Sequence, residues 1–142
     1  MVIFWHRRDL RTFDNAGLYK ALKSKKKVQP IFIFDQNILE ELPEDDQRVL
    51  FIYQEIEKLK KAYQKAGSDL WVYHGAPEKV FKQLVKEQKV SSVFINRDYE
   101  PYAKERDQKI YTLLEQENIK FIGTKDHVVL EKKEVLKEDG NP

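Results

Sequence analysis

The 142-residue sequence predicts an α/β domain on a five-stranded parallel sheet in the order 3-2-1-4-5, Rossmann-like, with helices on both faces in three layers. Three observations carry that prediction. Short runs of β-branched and aromatic residues alternate with longer stretches whose apolar residues recur every three or four positions. The runs are apolar nearly throughout, as parallel strands covered on both faces must be. Charged residues gather where the first, second and fourth runs end, the place where open α/β sheets build function.

The first run, Val2 to Trp5, is too short and too rich in β-favouring residues for a helix. A charged loop follows, with Arg7, Arg8 and Arg11 around Asp9. Asp14 then reads as the cap of a helix that opens at about Asn15 and carries an apolar stripe of Leu18, Ala21 and Leu22. Lys23 to Lys27 suit the negative end of that helix and read as a solvated terminus rather than a phosphate patch. Val28 to Phe34 is the second strand, with Pro30 placed near its start because proline cannot serve the middle of a ladder. Asp35 ends it, and one helical turn is expected around Ile38 and Leu39.

Asp45 and Asp46 are positioned to cap the longest helix, Gln47 to Ala66, whose stripe is Val49, Ile52, Ile56, Leu59, Tyr63 and Ala66; Gly67 is its stop. Leu70 to His74 is the third strand, and Pro77 opens a helix with Val80, Phe81, Leu84 and Val85 inward. Ser92 to Asn96 is the fourth strand, followed by the loop Arg97-Asp98-Tyr99-Glu100. A helix from Pro101 through Asn118 turns Ile110, Leu113 and Leu114 inward, and Lys120 to Thr124 is the fifth strand. The domain is expected over 1–130. Residues 131–142 are charged, end in Gly-Asn-Pro, and read as the start of a linker.

Composition narrows the function classes. There is no cysteine, so thiol catalysis, disulfides and Cys-ligated metal are out. The net charge is +2, from 26 basic and 24 acidic residues, too small to draw the chain to nucleic acid or membrane by its global field. No run approaches the ~20 apolar residues of a membrane span, and strand-like residues from position 2 leave no leader pattern, so a cytoplasmic protein is expected. The five glycines are scattered and form neither GxGxxG nor a P-loop. No G-x-S-x-G elbow is present, and His6, His74 and His127 have no chelating spacing. His6 and His74 read as imidazoles with backbone partners. What remains is charge at strand carboxyl ends: Arg7, Arg8 and Asp9, then Asp35, then Arg97, Asp98 and Glu100. For Arg8 and Asp9, mutual pairing that holds the loop and a role in a site are both open.

Phe4-Trp5-His6-Arg7-Arg8-Asp9-Leu10-Arg11 followed by Asp14-Asn15 resembles the opening motif of the DNA photolyase and cryptochrome family. Pro30 to Asp35, Gly75-Ala76-Pro77, Asn96-Arg97-Asp98-Tyr99-Glu100-Pro101-Tyr102 and Glu105-Arg106-Asp107 resemble further family segments in the right order, and Gly140-Asn141-Pro142 resembles its linker. The resemblance covers this whole chain but only the first part of a photolyase. It implies the antenna domain of a deoxyribodipyrimidine photolyase, which harvests light for FAD bound in a helical domain. FAD, the damaged-DNA pocket and the lyase chemistry belong to that helical partner domain of the same polypeptide. This chain alone is then expected to repair nothing, to touch damaged DNA only through that domain, and to have no membrane partner. Trp5 and Trp71 read as core residues.

Among antenna types, folate-binding members carry an Asn-Glu pair where this chain has Tyr102 and Ala103, whereas deazaflavin-type members carry residues like Asp98, Glu100 and Arg48. The resemblance therefore implies a deazaflavin or FMN rather than a folate. The expected pocket is bounded by Trp5, His6, Arg7, Ile33, Phe34, Asp35, Ile38, Leu39, Arg48, Ile52, Asp98 and Glu100. An ordinary Arg48–Asp98 salt bridge is the plain alternative for that pair. Two rival functions remain: a ligand-free interaction domain of a cryptochrome-like protein, and a nucleotide-binding α/β module. Phe13, the Tyr99 to Tyr102 loop and His127 to Leu130 are candidates for an apolar surface facing the helical domain; for Val128 to Leu130, burial in the domain's own core is equally open.

Overall fold

A computed structural model describes residues 1–40, 42–43 and 46–124. Its element order is β1 (Val2–His6), α1 (Ala16–Leu22), β2 (Val28–Asp35), α2 (Gln36–Leu39), α3 (Gln47–Lys65), β3 (Trp71–Gly75), α4 (Pro77–Glu87), β4 (Ser92–Asn96), α5 (Pro101–Gln116) and β5 (Lys120–Thr124). The five strands form one parallel sheet in the order β3-β2-β1-β4-β5. The predicted order holds, and β1 is central.

The strands read as continuous apolar runs because both faces are covered, and the pleat sorts alternate residues between two cores. Ile3, Trp5, Ile31, Ile33, Val93 and Ile95 face Phe81 and Leu84 of α4 and Ile110 and Leu114 of α5. Val2, Phe4, Phe32, Phe34 and Phe94 face Leu18 and Ala21 of α1 and Ile56, Leu59 and Tyr63 of α3. Pro30 sits inside β2, opposite Phe4 of β1, and precedes Ile31, the first residue paired with β3. Its missing N–H therefore falls ahead of that ladder.

Local chemistry corrects several expected details. Asn15, not Asp14, caps α1: its side chain accepts from the Leu18 amide at 3.1 Å, while Asp14 adopts a left-handed φ of 47° in the turn before it. Leu22, the last residue of α1, is 58% exposed, and Ala66, the cap after α3, is exposed, although both keep the spacing of their stripes. Asp46 caps α3 through the Arg48 amide, whereas Asp45 and the whole of 125–142 lie outside the described residues, and with them His127 to Leu130 and the expected linker over 131–142. β3 is shifted by one residue, with Leu70 fully buried just before it. α5 ends at Gln116, and Asn118 takes the left-handed conformation that turns the chain into β5. Gly67 stops α3 with φ 87°, and Pro77 opens α4, as predicted.

Candidate functional site at the carboxyl edge of the sheet

Because side chains alternate along a strand, the polar residues at the strand ends are dealt to opposite faces. His6 points to the α1/α3 face and is fully buried. Its Nδ1 lies 2.9 Å from the Asp9 carbonyl and its Nε2 2.7 Å from the Tyr63 hydroxyl. A carbonyl only accepts, so Nδ1 carries the proton and Nε2 accepts from Tyr63. Burial pushes the imidazole pKa below its ordinary value, with the nearby Asp9 working against that shift; burial raises the Tyr63 pKa. His6 is thus a structural neutral imidazole.

Asn96 points to the same face and closes the sheet onto α1. Its Nδ2 donates to Asp9 and to Asn15 Oδ1, and its Oδ1 accepts from the Gly17 amide at 2.8 Å. Gly17 is required here, since a Cβ would lie 2.7 Å from Asn96 Oδ1 and 2.9 Å from a Phe4 ring carbon. The amino end of α1, where dinucleotide folds receive a phosphate, is filled by the asparagine side chains. That counts against the nucleotide-module rival.

Arg7 goes to the α5 face. It donates to both carboxylate oxygens of Asp107 at 2.7 and 3.1 Å and to the Asn96 carbonyl at 2.8 Å. Its guanidinium also stands 4.8 Å over the Trp5 ring, where Arg106 stands at 5.1 Å. Asp35 shares this face: it caps α2 through the Asn37 amide, accepts from the Tyr102 hydroxyl at 2.8 Å and lies 3.8 Å from Arg106 Nη1. Arg106 also bonds Asp107 through Nε, and among the described residues no acceptor faces its buried Nη2. Trp5, Arg7 and Asp35 are therefore brought together, but by α5 rather than by an open pocket. Ile33 lies beneath them in the core.

Two separate depressions open at this edge, with no lining residue in common. One, of about 390 Å³, lies between the loops after β1 and β4 and is charged: Arg7, Arg8, Asp9, Arg11, Asn96, Arg97, Asp98 and Tyr99. Asp98 and Glu100 meet here, each 3.7 Å from the exposed Arg8. The second, of about 320 Å³, lies after β2 and β3 and is lined by Phe34, Gln36, Leu39, Glu40, His74 and Gly75. Phe34 stacks on Tyr53 at 4.3 Å and on His74 at 4.6 Å, the planes within 19° and 16° of parallel, and Tyr53 and His74 are 3.1 Å apart through their polar atoms. Ile52 packs on the neighbouring core and Ile38 is 41% exposed. Arg48 joins neither depression: its exposed side chain binds Asp46 at 2.7 Å, which holds the Asp46 pKa down at about 2. The Arg48–Asp98 pair does not form; Asp98 faces Arg8 instead.

Tyr53 and His74 were not legible as site residues. Tyr53 lies off the core stripe of α3, and it meets His74 only because it stacks on Phe34, the residue that the β2–β3 register pairs with His74. Asn96, Tyr102, Arg106 and Asp107 stood inside the motifs, but nothing in their spacing assigned their partners.

A family model described as DNA photolyase matches residues 2–142. The chain is 32% identical over 141 residues to a deoxyribodipyrimidine photo-lyase of Synechococcus sp., covering 99% of this chain and 29% of the relative. It is 30% identical to cryptochrome-2 of Gallus gallus, covering 98% of this chain and 24% of that protein. Among solved structures, the archaeal photolyase from Sulfolobus tokodaii, described with two FAD molecules and a novel light-harvesting cofactor, superposes with a TM-score of 0.79 at 32% identity, over 93% of this chain and 31% of that one. The chain thus spans less than a third of the length of each of these relatives. With the motif residues of β1 and β4 locked into one network, a matching family model and a shared fold, the chain belongs to the DNA photolyase family.

Proposed function

We propose that this chain is the antenna domain of a photolyase, binding a planar chromophore that passes excitation to FAD in a helical domain of the same polypeptide. The carrying observation is the parallel aromatic set Phe34, Tyr53 and His74 beside the 320 Å³ cleft at the carboxyl edge of β2 and β3. That volume is at the lower end of small-ligand pockets, roughly 300–1,000 Å³. Leu39 and Phe34 supply an apolar wall, and Gln36 and Glu40 supply polar groups at the rim. Burying ~150 Å² of apolar ring is worth roughly 4 kcal/mol before the entropy of association, so binding by this chain alone is weak.

A deazaflavin or FMN fits better than a folate, because Tyr102 is committed to Asp35 and Ala103 is buried where folate-type members carry their polar pair. The Sulfolobus relative is described with two FAD molecules, which supports a flavin-like antenna for this chain. Titration of the chain with a deazaflavin, FMN and a folate, read by absorbance and fluorescence, tests the reading. Flavin-type ligands are expected to bind, and Leu39→Glu or His74→Ala to weaken them. Equal binding of all three ligands by wild type and both variants, or binding of none, sinks the proposal.

A further inference from the structure

In a parallel sheet each crossover helix brings the chain back to the amino edge, so the helix ends and the short connections into β2, β3, β4 and β5 gather there. These stretches, 23–27, 66–70, 88–91 and 117–120, hold six lysines, Lys23, Lys25, Lys26, Lys27, Lys89 and Lys120, and no arginine. Their carboxylates are Asp69, held by Lys60 at 2.9 Å, and Glu117. The near-neutral total charge of the chain thus conceals a one-sided distribution. All six lysines are exposed, and none has an ion-pair partner among the described residues. Helix carboxyl ends attract cations, each end carrying roughly half a negative charge. That ordinary complement is already present as Lys20, Lys65 and Lys86 in the last turns of α1, α3 and α4, so the six come in addition to it. The ladder sets them in a row. The Val2 amide donates to the Lys27 carbonyl at 2.8 Å, the Ser91 amide to the Met1 carbonyl at 2.8 Å, and the Lys120 amide to the Ser91 carbonyl at 3.4 Å. From Lys27 to Lys120 the row crosses three strand spacings, about 14 Å.

We infer that the amino edge of the sheet is a docking surface for the phosphate backbone of duplex DNA, bound without regard to sequence. A row of that length is too wide for one phosphate to bridge and calls for a repeated anion. Duplex DNA presents one charge per ~1.7 Å of its axis, and each phosphate neutralised releases condensed counterions. Lysine is a compact point charge that meets a phosphate oxygen from many directions, whereas base edges are read by the forks of Arg, Asn and Gln. A row made of lysine alone therefore positions a backbone and reads no bases. For a chain of the DNA photolyase family, duplex DNA is the extended polyanion at hand. The surface is separate from the damaged-DNA pocket that the resemblance assigns to the helical domain. It lies at the opposite end of the sheet from both depressions, so it stands or falls apart from the antenna reading. Taken alone, Lys23 to Lys27 are a solvated helix end; only the sheet aligns Lys89 and Lys120 with them.

Fluorescence anisotropy of a labelled, undamaged 20-base-pair duplex, titrated with the 142-residue chain at several salt concentrations, tests the inference. Saturable binding at low salt is expected, with log K falling linearly against log salt. Each lysine in contact should add about 0.9 to the steepness of that line. A Lys25→Gln, Lys26→Gln, Lys27→Gln variant should lose at least tenfold in affinity and flatten the line by roughly 2–3. An equally charged control, Lys61→Gln, Lys82→Gln, Lys104→Gln, removes exposed lysines from the outer sides of α3, α4 and α5 and should bind as wild type does. Should the first variant fail to fold, Lys89→Gln, Lys120→Gln should still flatten the line by roughly 1–2, and two duplexes of different sequence should bind alike. An absence of saturable binding at low salt overturns the inference, as does an equal loss in the amino-edge and control variants. Binding to vesicles containing phosphatidylserine without binding to the duplex also overturns it, since the row would then serve a membrane surface.

Discussion

Lowering the pH below 6.5 should destabilise this domain through one residue, His6. The ring is fully buried, with Nδ1–H given to the Asp9 carbonyl at 2.9 Å and Nε2 accepting from Tyr63 at 2.7 Å. Protonation would create a second N–H at Nε2, where a hydroxyl now donates, and would place a charge where no water reaches. Burial accordingly lowers the pKa of the folded state below its ordinary value, against the opposing pull of Asp9. The unfolded chain takes up a proton as pH falls through about 6.5 while the folded chain does not. Stability is therefore complete above that pH and is lost below it, at up to about 1.4 kcal/mol per pH unit for as long as the buried ring stays neutral. Between pH 6.5 and 5 that amounts to at most about 2 kcal/mol, a large share of the 5–15 kcal/mol typical of a domain. Urea unfolding at pH 7, 6.5, 6, 5.5 and 5 measures it. His6→Asn, which keeps a donor near the Asp9 carbonyl, should be less stable at pH 7 but show a flatter profile down to pH 5. Parallel profiles for the two proteins would refute the assignment to His6.

Other substitutions test the remaining network. Gly17→Ala should cost about 1–3 kcal/mol by thermal unfolding, since its Cβ would press on Asn96 Oδ1 and the Phe4 ring from inside the α1–sheet contact. Asp107→Ala strips the buried Arg7 of its carboxylate and Arg106 of its Nε acceptor, with an expected loss of about 3 kcal/mol or more. Tyr102→Phe removes a hydroxyl that Asp35 accepts, for a loss of roughly 1 kcal/mol in denaturant unfolding. Arg48→Ala should leave the melting temperature nearly unchanged, because the pair with Asp46 is solvent-exposed, whereas Asp46→Ala should lower it by removing the cap of α3.

The architecture is legible in the residue order alone. Runs such as Val2 to Trp5 and Val28 to Phe34 are apolar on consecutive positions, which only a strand covered on both sides tolerates. Their alternation with helical stripes leaves a parallel sheet with β1 inside it. Burial is a one-dimensional property, so Ile56, Leu59 and Tyr63 could be placed in the core from spacing alone. Periodicity was a weaker guide at helix ends, where Leu22 and Ala66 stand in solvent despite their spacing.

Pairing is a different kind of fact. Arg7 meets Asp107 across 100 positions and Asn96 meets Asp9 across 87, and those partners are chosen by the pleat and by which helix covers each face. The same pleat sends His6 to α3 and Arg7 to α5, although they are adjacent in the chain. The twin depressions arise for the same reason: with Asp35 drawn to Tyr102 and Arg48 held by Asp46, the residues expected around one cleft are divided between an aromatic cleft and a charged crevice. Only the tertiary structure could decide this, because a charged side chain takes the nearest partner in space, and sequence spacing carries no measure of that distance.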